Sequence, residues 1–331
     1  MDWTRLMEIN EGYQVSRILQ AAVDYDIFDT TEGTGATAQQ VASEKGLHDG
    51  AVELLLNALA SLGFLQKEGA VFSNTETTSR YLVTSSPLYF GHFIRFSSKG
   101  WDVWERLQQS LRTGTPARSP DHYQNDEAET ELYIMAMHDI STARGDIFAL
   151  PQRIDLSQCR NLLDVGGGPG TFTIGFCKAY PKLQGAIFDL PGTLKIAQRL
   201  LKKHEMSHRI GLIPGDFKRD ELPGGFDAVF LSNIIHSEDI PTNEQLMGKI
   251  YGALNPGGML IIKDHIMDET RTQPNIGAIF AVEMLLFTQG RTYSFHEVKG
   301  WLRGVGFSQI REVPPQPPLT SSLIFAQKRK G

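Results

Sequence analysis

Cysteine is scarce in this sequence, since the 331 residues include only Cys159 and Cys177. Two cysteines provide no disulfide framework, and the distance between them along the chain is not the spacing of a metal-ligand motif. We therefore expect buried thiols in a reducing compartment, which predicts a cytoplasmic protein with no bound metal.

Long apolar runs and an excess of positive charge are also missing. No stretch approaches the roughly 18 consecutive apolar residues of a membrane span. The first ten residues, MDWTRLMEIN, contain no basic segment followed by an apolar core, so we expect no signal peptide. The net charge of −6 disfavours nucleic acid as the main partner.

The most informative stretch that is present is NLLDVGGGPGT, from Asn161 to Thr171. A short apolar run that suits a buried strand leads into four glycines, and residues 172–180 then predict a helix. Strand, glycine turn and helix are typical of a nucleotide-binding loop, because glycine lets the backbone approach a ligand closely. Thr171 stands where a dinucleotide-binding loop has its third glycine, and no Gly-Lys-Ser/Thr ending follows. From this segment alone, a tight turn without a ligand remains open.

The N-terminal part of the chain predicts a helical domain with a winged-helix pattern. We expect a helix over residues 4–28, a second helix that begins after Thr37 and ends at Gly46, and a third over 50–62. A hairpin around residues 67–69 would follow. The third helix contains no Lys or Arg, which disfavours DNA binding because phosphate contacts dominate DNA affinity. We therefore interpret the winged-helix pattern as a packing element. The apolar N-terminal helix beside it favours a homodimer.

The remaining chain divides into a connection and an α/β part. Residues 112–127 are polar and contain two prolines, and 128–150 predict one long helix. Beyond residue 161, strands over 162–165, 185–188, 210–213, 228–231 and 259–263 alternate with helices, and a turn over 255–258 precedes the fifth strand. This alternation predicts a doubly wound parallel sheet with helices on both faces. Two last strands, 308–313 and 323–327, predict a terminal antiparallel hairpin. We place the domain boundaries at 1–115, 116–155 and 156–331.

Polar residues follow the strand ends, which is where such sheets bind ligands. Asp189 ends the second strand, at the distance from the glycine turn at which an acid takes ribose hydroxyls. The third strand is followed by Asp216 and Phe217, a carboxylate and a ring that suit an adenine. The fourth strand leads to His236, and the fifth ends at Asp264. Each acid alone could also be a helix cap or a solvated turn.

Together these motifs resemble the class I S-adenosylmethionine-dependent methyltransferases. The matching runs are LLDVGGGPGTFTI, FDLPG, GDF, FDAVFLSNIIH and ALNPGGMLIIKD. More narrowly, the chain is similar to the small-molecule O-methyltransferases that include plant caffeic-acid and bacterial polyketide enzymes. The resemblance implies a Rossmann-like sheet, a winged-helix dimerisation domain at 1–115, a linker and connecting helix at 116–155, and a cofactor-binding catalytic domain at 156–331. It also implies S-adenosylmethionine as methyl donor and S-adenosylhomocysteine as product.

The resemblance assigns roles to individual residues of this chain. His236 falls on the general base, and Asp264 falls on the acid that orients it. Positions matching cofactor contacts are Asp164, Gly166, Gly168, Gly170, Asp189, Asp216, Phe217, Ser232 and Ser141. Positions matching substrate contacts are Met137, Met284 and Thr288. Tyr133 and Phe280 join them among the aromatic and methionine side chains that suggest a small, apolar aromatic acceptor.

The chain departs from the family pattern at three places. Ser232 stands where plant members often have Lys, and Ser237 stands where they have Asp after the catalytic histidine. A second acid is missing from residues 289–292, and Glu283 is a candidate to replace it.

Several functions therefore compete. The first is O-methylation of an aromatic hydroxyl with His236 as base. Close alternatives keep the cofactor but use a carbon or nitrogen acceptor, or a reaction without methyl transfer. A nicotinamide oxidoreductase is disfavoured by Thr171 and by the Asp216–Phe217 pair. A DNA-binding regulator is disfavoured by the acidic winged helix.

Overall fold

The computed structural model describes residues 1–119 and 122–330. The chain forms two compact units, residues 1–101 and 102–331. Within the described residues, none of the helices combines the length and the apolar character needed to cross a lipid bilayer.

The first unit is mostly helical and contains one small sheet. Its helices are α1 Trp3–Asp24, α2 Ile27–Thr30, α3 Ala38–Lys45, α4 Asp49–Ser61, α5 Glu76–Leu82 and α6 Gly91–Ser98. Its strands are β1 Ala36–Thr37, β2 Leu65–Glu68 and β3 Val71–Asn74, in the antiparallel order β1-β3-β2. Helices α3 and α4 followed by the β2–β3 hairpin confirm the winged-helix pattern.

Local sequence signals set the ends of these helices. Thr37 and Gln40 form a capping box at the start of α3, and Gly46 ends it in the left-handed conformation at φ +67°. The prediction of one helix over 4–28 is wrong at its C-terminal end. Asp26 adopts φ +51°, which interrupts the helix and separates α1 from α2, and its carboxylate pairs with Arg95.

The second unit is built on a seven-stranded sheet. Its strands are β4 Asn161–Val165, β5 Gln184–Asp189, β6 Ile210–Pro214, β7 Phe226–Ser232, β8 Leu254–Asp264, β11 Ser308–Val313 and β12 Ser322–Gln327. The order is β11-β12-β8-β7-β4-β5-β6. Strands β4 to β8 are parallel, whereas β12 and β11 run antiparallel as the terminal hairpin. The predicted doubly wound sheet and terminal hairpin are confirmed. A short parallel pair, β9 Ile266–Met267 and β10 Tyr293–Ser294, lies outside this sheet.

The helices from residue 101 onward precede the sheet or connect its strands. They are α7 Trp101–Trp104, α8 Leu107–Thr113, α9 Glu127–Ala143, α10 Asp146–Arg153, α11 Thr171–Ala179, α12 Pro191–Lys203, α13 Ile240–Ala253, α14 Asn275–Phe287 and α15 Phe295–Gly304. Two 3-10 helices, His122–Asn125 and Ile235–Ser237, complete the unit.

Alternate residues of the strands enter two different apolar cores. Leu163 and Ile262 belong to one cluster with side chains of α13 and α15, whereas Leu162 and Ile261 belong to another with side chains of α11 and α12. Since successive side chains of a strand point to opposite faces, the sheet is buried on both sides. Its polar groups are therefore concentrated where the strands end.

Two predicted elements of the second unit differ from the structure, and one helix was not predicted. The helix expected over 128–150 is two helices, because Gly145 takes φ +87° between α9 and α10. The turn expected over 255–258 lies inside β8, at an irregularity in its pairing with β7. Helix α14 has no counterpart among the predicted elements.

Candidate active site

A cavity of about 170 Å³ lies at the carboxyl ends of β4 to β7. Eight of the nine predicted cofactor residues line it: Asp164, Gly166, Gly168, Asp189, Asp216, Phe217, Ser232 and Ser141. The ninth, Gly170, is not among the lining residues. It caps α11 at φ +74°, and a Cβ there would collide with the side chain of Ile187. Its position thus requires glycine for packing and backbone conformation.

The glycine turn is held together by its own hydrogen bonds. The amide of Gly166 donates to the Phe188 carbonyl at 2.8 Å, and that of Gly170 donates to Gly167 at 2.9 Å. The amide of Gly168 donates to Asp189 Oδ2 at 2.8 Å. These three N–H groups therefore already have partners. At Gly168, which takes φ +55° with open space where a Cβ would be, the glycine provides room for a close approach.

Asp164 is buried behind this turn. Its Oδ2 accepts from Thr173 at 2.6 Å, while Oδ1 has no hydrogen-bond partner in the described part of the chain. Burial raises the pKa of Asp164 to about 7; the Thr173 hydrogen bond opposes this, and the charge of Asp189 adds to it. The unpartnered oxygen belongs to a residue that lines the cavity, so it can accept from a cationic or N–H-bearing ligand.

Two further carboxylates line the cavity. Asp189 accepts from Gly168 through Oδ2 and from the Leu190 amide through Oδ1 at 2.7 Å, so it is fixed to the turn. Asp216 follows β6 and accepts from the Lys218 amide at 2.9 Å. The ring of Phe217 stands beside it in the lining. Two fixed carboxylates and one ring in a single cavity suit a ligand with hydroxyls, an amine and a flat heterocycle.

Ser232 and Ser141 contribute hydroxyl groups to the same cavity. The Oγ of Ser232 is buried and has no hydrogen-bond partner among residues 1–119 and 122–330, whereas the Ser141 hydroxyl donates to the Met137 carbonyl at 2.9 Å. Buried polar atoms normally have partners. The unpartnered atoms of Asp164 and Ser232 are thus available to a polar cofactor, and the residues present fit S-adenosylmethionine.

His236 and Asp264 form a buried hydrogen-bonded pair. His236 Nδ1 lies 2.7 Å from Asp264 Oδ1, which also accepts from the His265 amide at 2.7 Å. Burial alone raises the pKa of Asp264, but the charge of His236 and the hydrogen bonds from His236 and His265 outweigh it, so the net pKa is lowered. Asp264 is therefore an ionised acceptor, and His236 donates through Nδ1. The other nitrogen, Nε2, keeps its lone pair.

Hydrogen bonds from Asn243 and Tyr293 brace the turn that carries His236. Asn243 Nδ2 donates to the carbonyls of Ile235 and Glu238 at 2.9 and 3.0 Å. The hydroxyl of Tyr293 donates to the Glu238 carbonyl at 2.6 Å. A Cβ on Gly290 would collide with backbone atoms of His236 and Glu238. Residues 234, 237 and 238 line the cavity, so this braced turn holds His236 at its edge.

Helix α14 contributes an aromatic ring that packs against His236. The Phe280 ring meets the His236 ring edge-on at 4.7 Å and lies 5.1 Å from the ring of His265. Met284 is buried, and its carbonyl accepts from the Thr288 hydroxyl at 2.9 Å. These three predicted substrate residues lie on or directly after one helix beside His236. None of them lines the cavity described above.

The other two predicted substrate residues, Met137 and Tyr133, line the cavity directly. The Tyr133 ring packs against Tyr123 at 4.1 Å. Tyr123 also lines the cavity, although it lies in the stretch that we interpret as a linker. The only feature of the sequence that could have indicated this role is an aromatic side chain within a polar segment. Lys218 and Glu238 were missed as well. They form an ion pair of 2.9 Å, and both line the cavity.

Glu283 does not replace the missing second acid as a direct partner of His236. No hydrogen bond joins the two side chains, and His236 Nδ1 already has Asp264. Glu283 is half-buried. Its pKa is raised by burial and lowered to a smaller extent by the charge of His236.

The sequence profile described as the O-methyltransferase domain matches residues 113–308, and that of the O-methyltransferase dimerisation domain matches residues 7–84. The 3-hydroxy-5-methyl-1-naphthoate 3-O-methyltransferase of Streptomyces sahachiroi is 31% identical over 333 residues, covering 98% of this chain and 95% of the relative. The tetracenomycin polyketide synthesis 8-O-methyl transferase TcmO of Streptomyces glaucescens is 28% identical, covering 96% and 95%. A solved O-methyltransferase family protein from Burkholderia thailandensis superposes with a TM-score of 0.89 at 28% identity, covering 100% and 99%.

Proposed function

Because this chain belongs to the O-methyltransferase family, we propose that it methylates a hydroxyl of a small aromatic acceptor with His236 as general base. The observation that carries the proposal is the 2.7 Å contact between His236 Nδ1 and Asp264 Oδ1. This pair lies at the edge of a cavity whose carboxylates and aromatic ring suit a nucleoside. The two named relatives, which act on naphthoate and polyketide molecules, support an aromatic acceptor.

S-adenosylmethionine is the proposed methyl donor, and when bound it supplies a methyl carbon attached to a sulfonium leaving group. Asp189 would accept from the ribose hydroxyls, and Asp216 with Phe217 would hold the adenine. The free oxygen of Asp164 and the hydroxyls of Ser141 and Ser232 would serve the amino-acid end, against the glycine turn.

The hydrogen bond between His236 and Asp264 supports the role of His236 as base. Asp264 holds the proton on Nδ1, so Nε2 is free to accept the proton of an acceptor hydroxyl. A phenol has a pKa of about 10, whereas an imidazole titrates near 6.5. Proton removal during attack therefore assists the reaction, by roughly 10²–10⁴-fold. The carboxylate of Asp264 then stabilises the imidazolium. The braced turn and Phe280 fix the ring, which supports catalysis by positioning.

The proposal also includes the oligomeric state of the protein. The dimerisation-domain match covers residues 7–84, and α1 exposes the large apolar side chains of Trp3, Leu6, Ile9 and Tyr13. Exposed apolar patches of this kind mark interaction sites. We therefore include a homodimer formed through the first unit.

Cofactor titration separates this proposal from a nicotinamide oxidoreductase. We expect calorimetry to show binding of S-adenosylmethionine and S-adenosylhomocysteine and no tight binding of NAD. Asp189→Ala should weaken S-adenosylmethionine binding by about 10- to 100-fold, because it removes hydrogen bonds to a charged acceptor. Glu221→Ala, which removes an exposed carboxylate, is the control and should bind normally. Tight NAD binding, or equal affinity in a folded Asp189→Ala variant, would contradict the proposed cofactor.

A further inference from the structure

Helix α14 carries a carboxylate that the proposed mechanism does not use. Glu283 lies three residues after Phe280, and side chains three apart share one side of a helix. The Phe280 ring lies 4.7 Å from the His236 ring. The next residue, Met284, is buried. Glu283 therefore lies beside the ring that packs on the base.

The carboxylate of Glu283 has no hydrogen bond or ion pair to any side chain or backbone group among residues 1–119 and 122–330. Burial raises its pKa, and the charge of His236 lowers that pKa to a smaller extent. A partly buried carboxylate normally has a hydrogen-bonding partner, because burial without one is unfavourable. The carboxylate is therefore able to accept a hydrogen bond from a ligand.

Two roles within the protein do not account for this carboxylate. Asp264 already orients His236, because its Oδ1 lies 2.7 Å from His236 Nδ1. The turn after α14 supplies no second acid either, because residues 289–292 contain none and a Cβ at Gly290 would collide with backbone atoms of His236 and Glu238. Helix α14 thus carries a carboxylate that neither role uses, on the side of the helix that bears Phe280.

We infer that Glu283 accepts a hydrogen bond from a second hydroxyl of the acceptor, so that the enzyme selects aromatic diols over monohydroxylated rings. This inference rests on the proposed function, because it assumes that the hydroxyl being methylated faces His236. The same carboxylate disfavours acceptors that carry their own carboxylate at the position of the second hydroxyl, because like charges repel.

Three probe acceptors test the inference: 2,3-dihydroxynaphthalene, 2-naphthol and 3-hydroxy-2-naphthoate. In the wild-type enzyme we expect kcat/KM to fall in that order. Glu283→Leu should reduce the preference for the diol over 2-naphthol by about 10- to 100-fold, the size expected for one hydrogen bond to a charged group. Glu283→Gln, which keeps an acceptor oxygen, should lose less. Both variants should improve the relative rate with the naphthoate.

The matched control is Glu221→Gln, an exposed carboxylate outside the site, which should preserve the wild-type order. An equal loss with all three probes in the Glu283 variants would overturn the inference, because a structural role predicts no change in preference. A wild-type enzyme that neither methylates nor binds the diol better than 2-naphthol would also overturn it. Failure of the proposed function would differ, since no labelled methyl group would then reach any probe hydroxyl.

Discussion

The pair of His236 and Asp264 determines which atom of the site can accept a proton. An ionised carboxylate can only accept hydrogen bonds, so its 2.7 Å contact assigns the imidazole proton to Nδ1. Nε2 is left as the basic nitrogen. The neighbouring Lys263 is fully buried beside Asp146 at 3.4 Å, and burial lowers its pKa despite that carboxylate. At the end of β8, Asp264 therefore contacts His236, whereas Lys263 pairs separately with Asp146.

His265 gives a prediction for the pH dependence of stability. Burial lowers its pKa to about 4, although the charge of Asp264 acts in the opposite direction. A histidine that is neutral in the folded state contributes stability above its unfolded pKa near 6.5, and this contribution is lost as pH falls through 4. The free energy of unfolding should therefore drop more steeply between pH 7 and 4 in the wild type than in His265→Gln. The expected difference is up to about 3 kcal/mol.

Denaturant unfolding at several pH values measures this difference. His208→Gln is the matched control, because His208 is exposed, and it should follow the wild-type curve. Parallel curves for wild type and His265→Gln would show that His265 is not held neutral.

At the scale of secondary structure, the elements that the sequence predicts well are those with a periodic pattern and a defined end. Thr37 and Gly46 mark both ends of α3, and β4 to β7 are short apolar runs bounded by polar residues. Helix α14 was missed because its sequence, NIGAIFAVEMLLF, is apolar apart from Asn275 and Glu283 and begins after Pro274 without a capping side chain. A helix without a polar face gives no periodic signal.

The same distinction explains how much of the site was predictable. Gly166, Asp189 and Asp216 lie at strand ends, where the topology of a parallel sheet brings them together. The position of Glu283 and the collision at Gly290 depend on how α14 and the turn after it pack on His236. Such packing between distant segments leaves no local pattern. Tyr123 was missed for a similar reason, since its contact with Tyr133 joins a short 3-10 helix to α9.

At the scale of the whole molecule, each unit has its own hydrophobic core. The first unit buries side chains such as Phe28, Leu56 and Phe72, yet α1 leaves Leu6 and Ile9 about half exposed, at 49% and 54%. All of the proposed catalytic and cofactor residues belong to the second unit. The proposed homodimer gives the exposed face of the first unit a function.

Analytical ultracentrifugation tests the homodimer. The wild-type chain should sediment with twice its monomer mass, whereas the double substitution Leu6→Glu and Ile9→Glu should shift it toward monomer, because charges oppose burial of that face. Leu6→Met with Ile9→Leu keeps the face apolar and should leave the dimer intact. A wild-type monomer at micromolar concentration, or an unaffected dimer in the Glu variant, would contradict the assignment.

The most direct test of the account is transfer of a labelled methyl group from S-adenosylmethionine by wild type and His236→Ala, with product analysis on phenolic probes. The wild-type product should carry the label on oxygen. His236→Ala should lose about 10²–10⁴-fold in kcat while binding S-adenosylmethionine with unchanged affinity, since the cofactor residues are untouched. Full turnover by the folded His236→Ala variant, or a label on carbon or nitrogen in the wild-type product, would contradict the account.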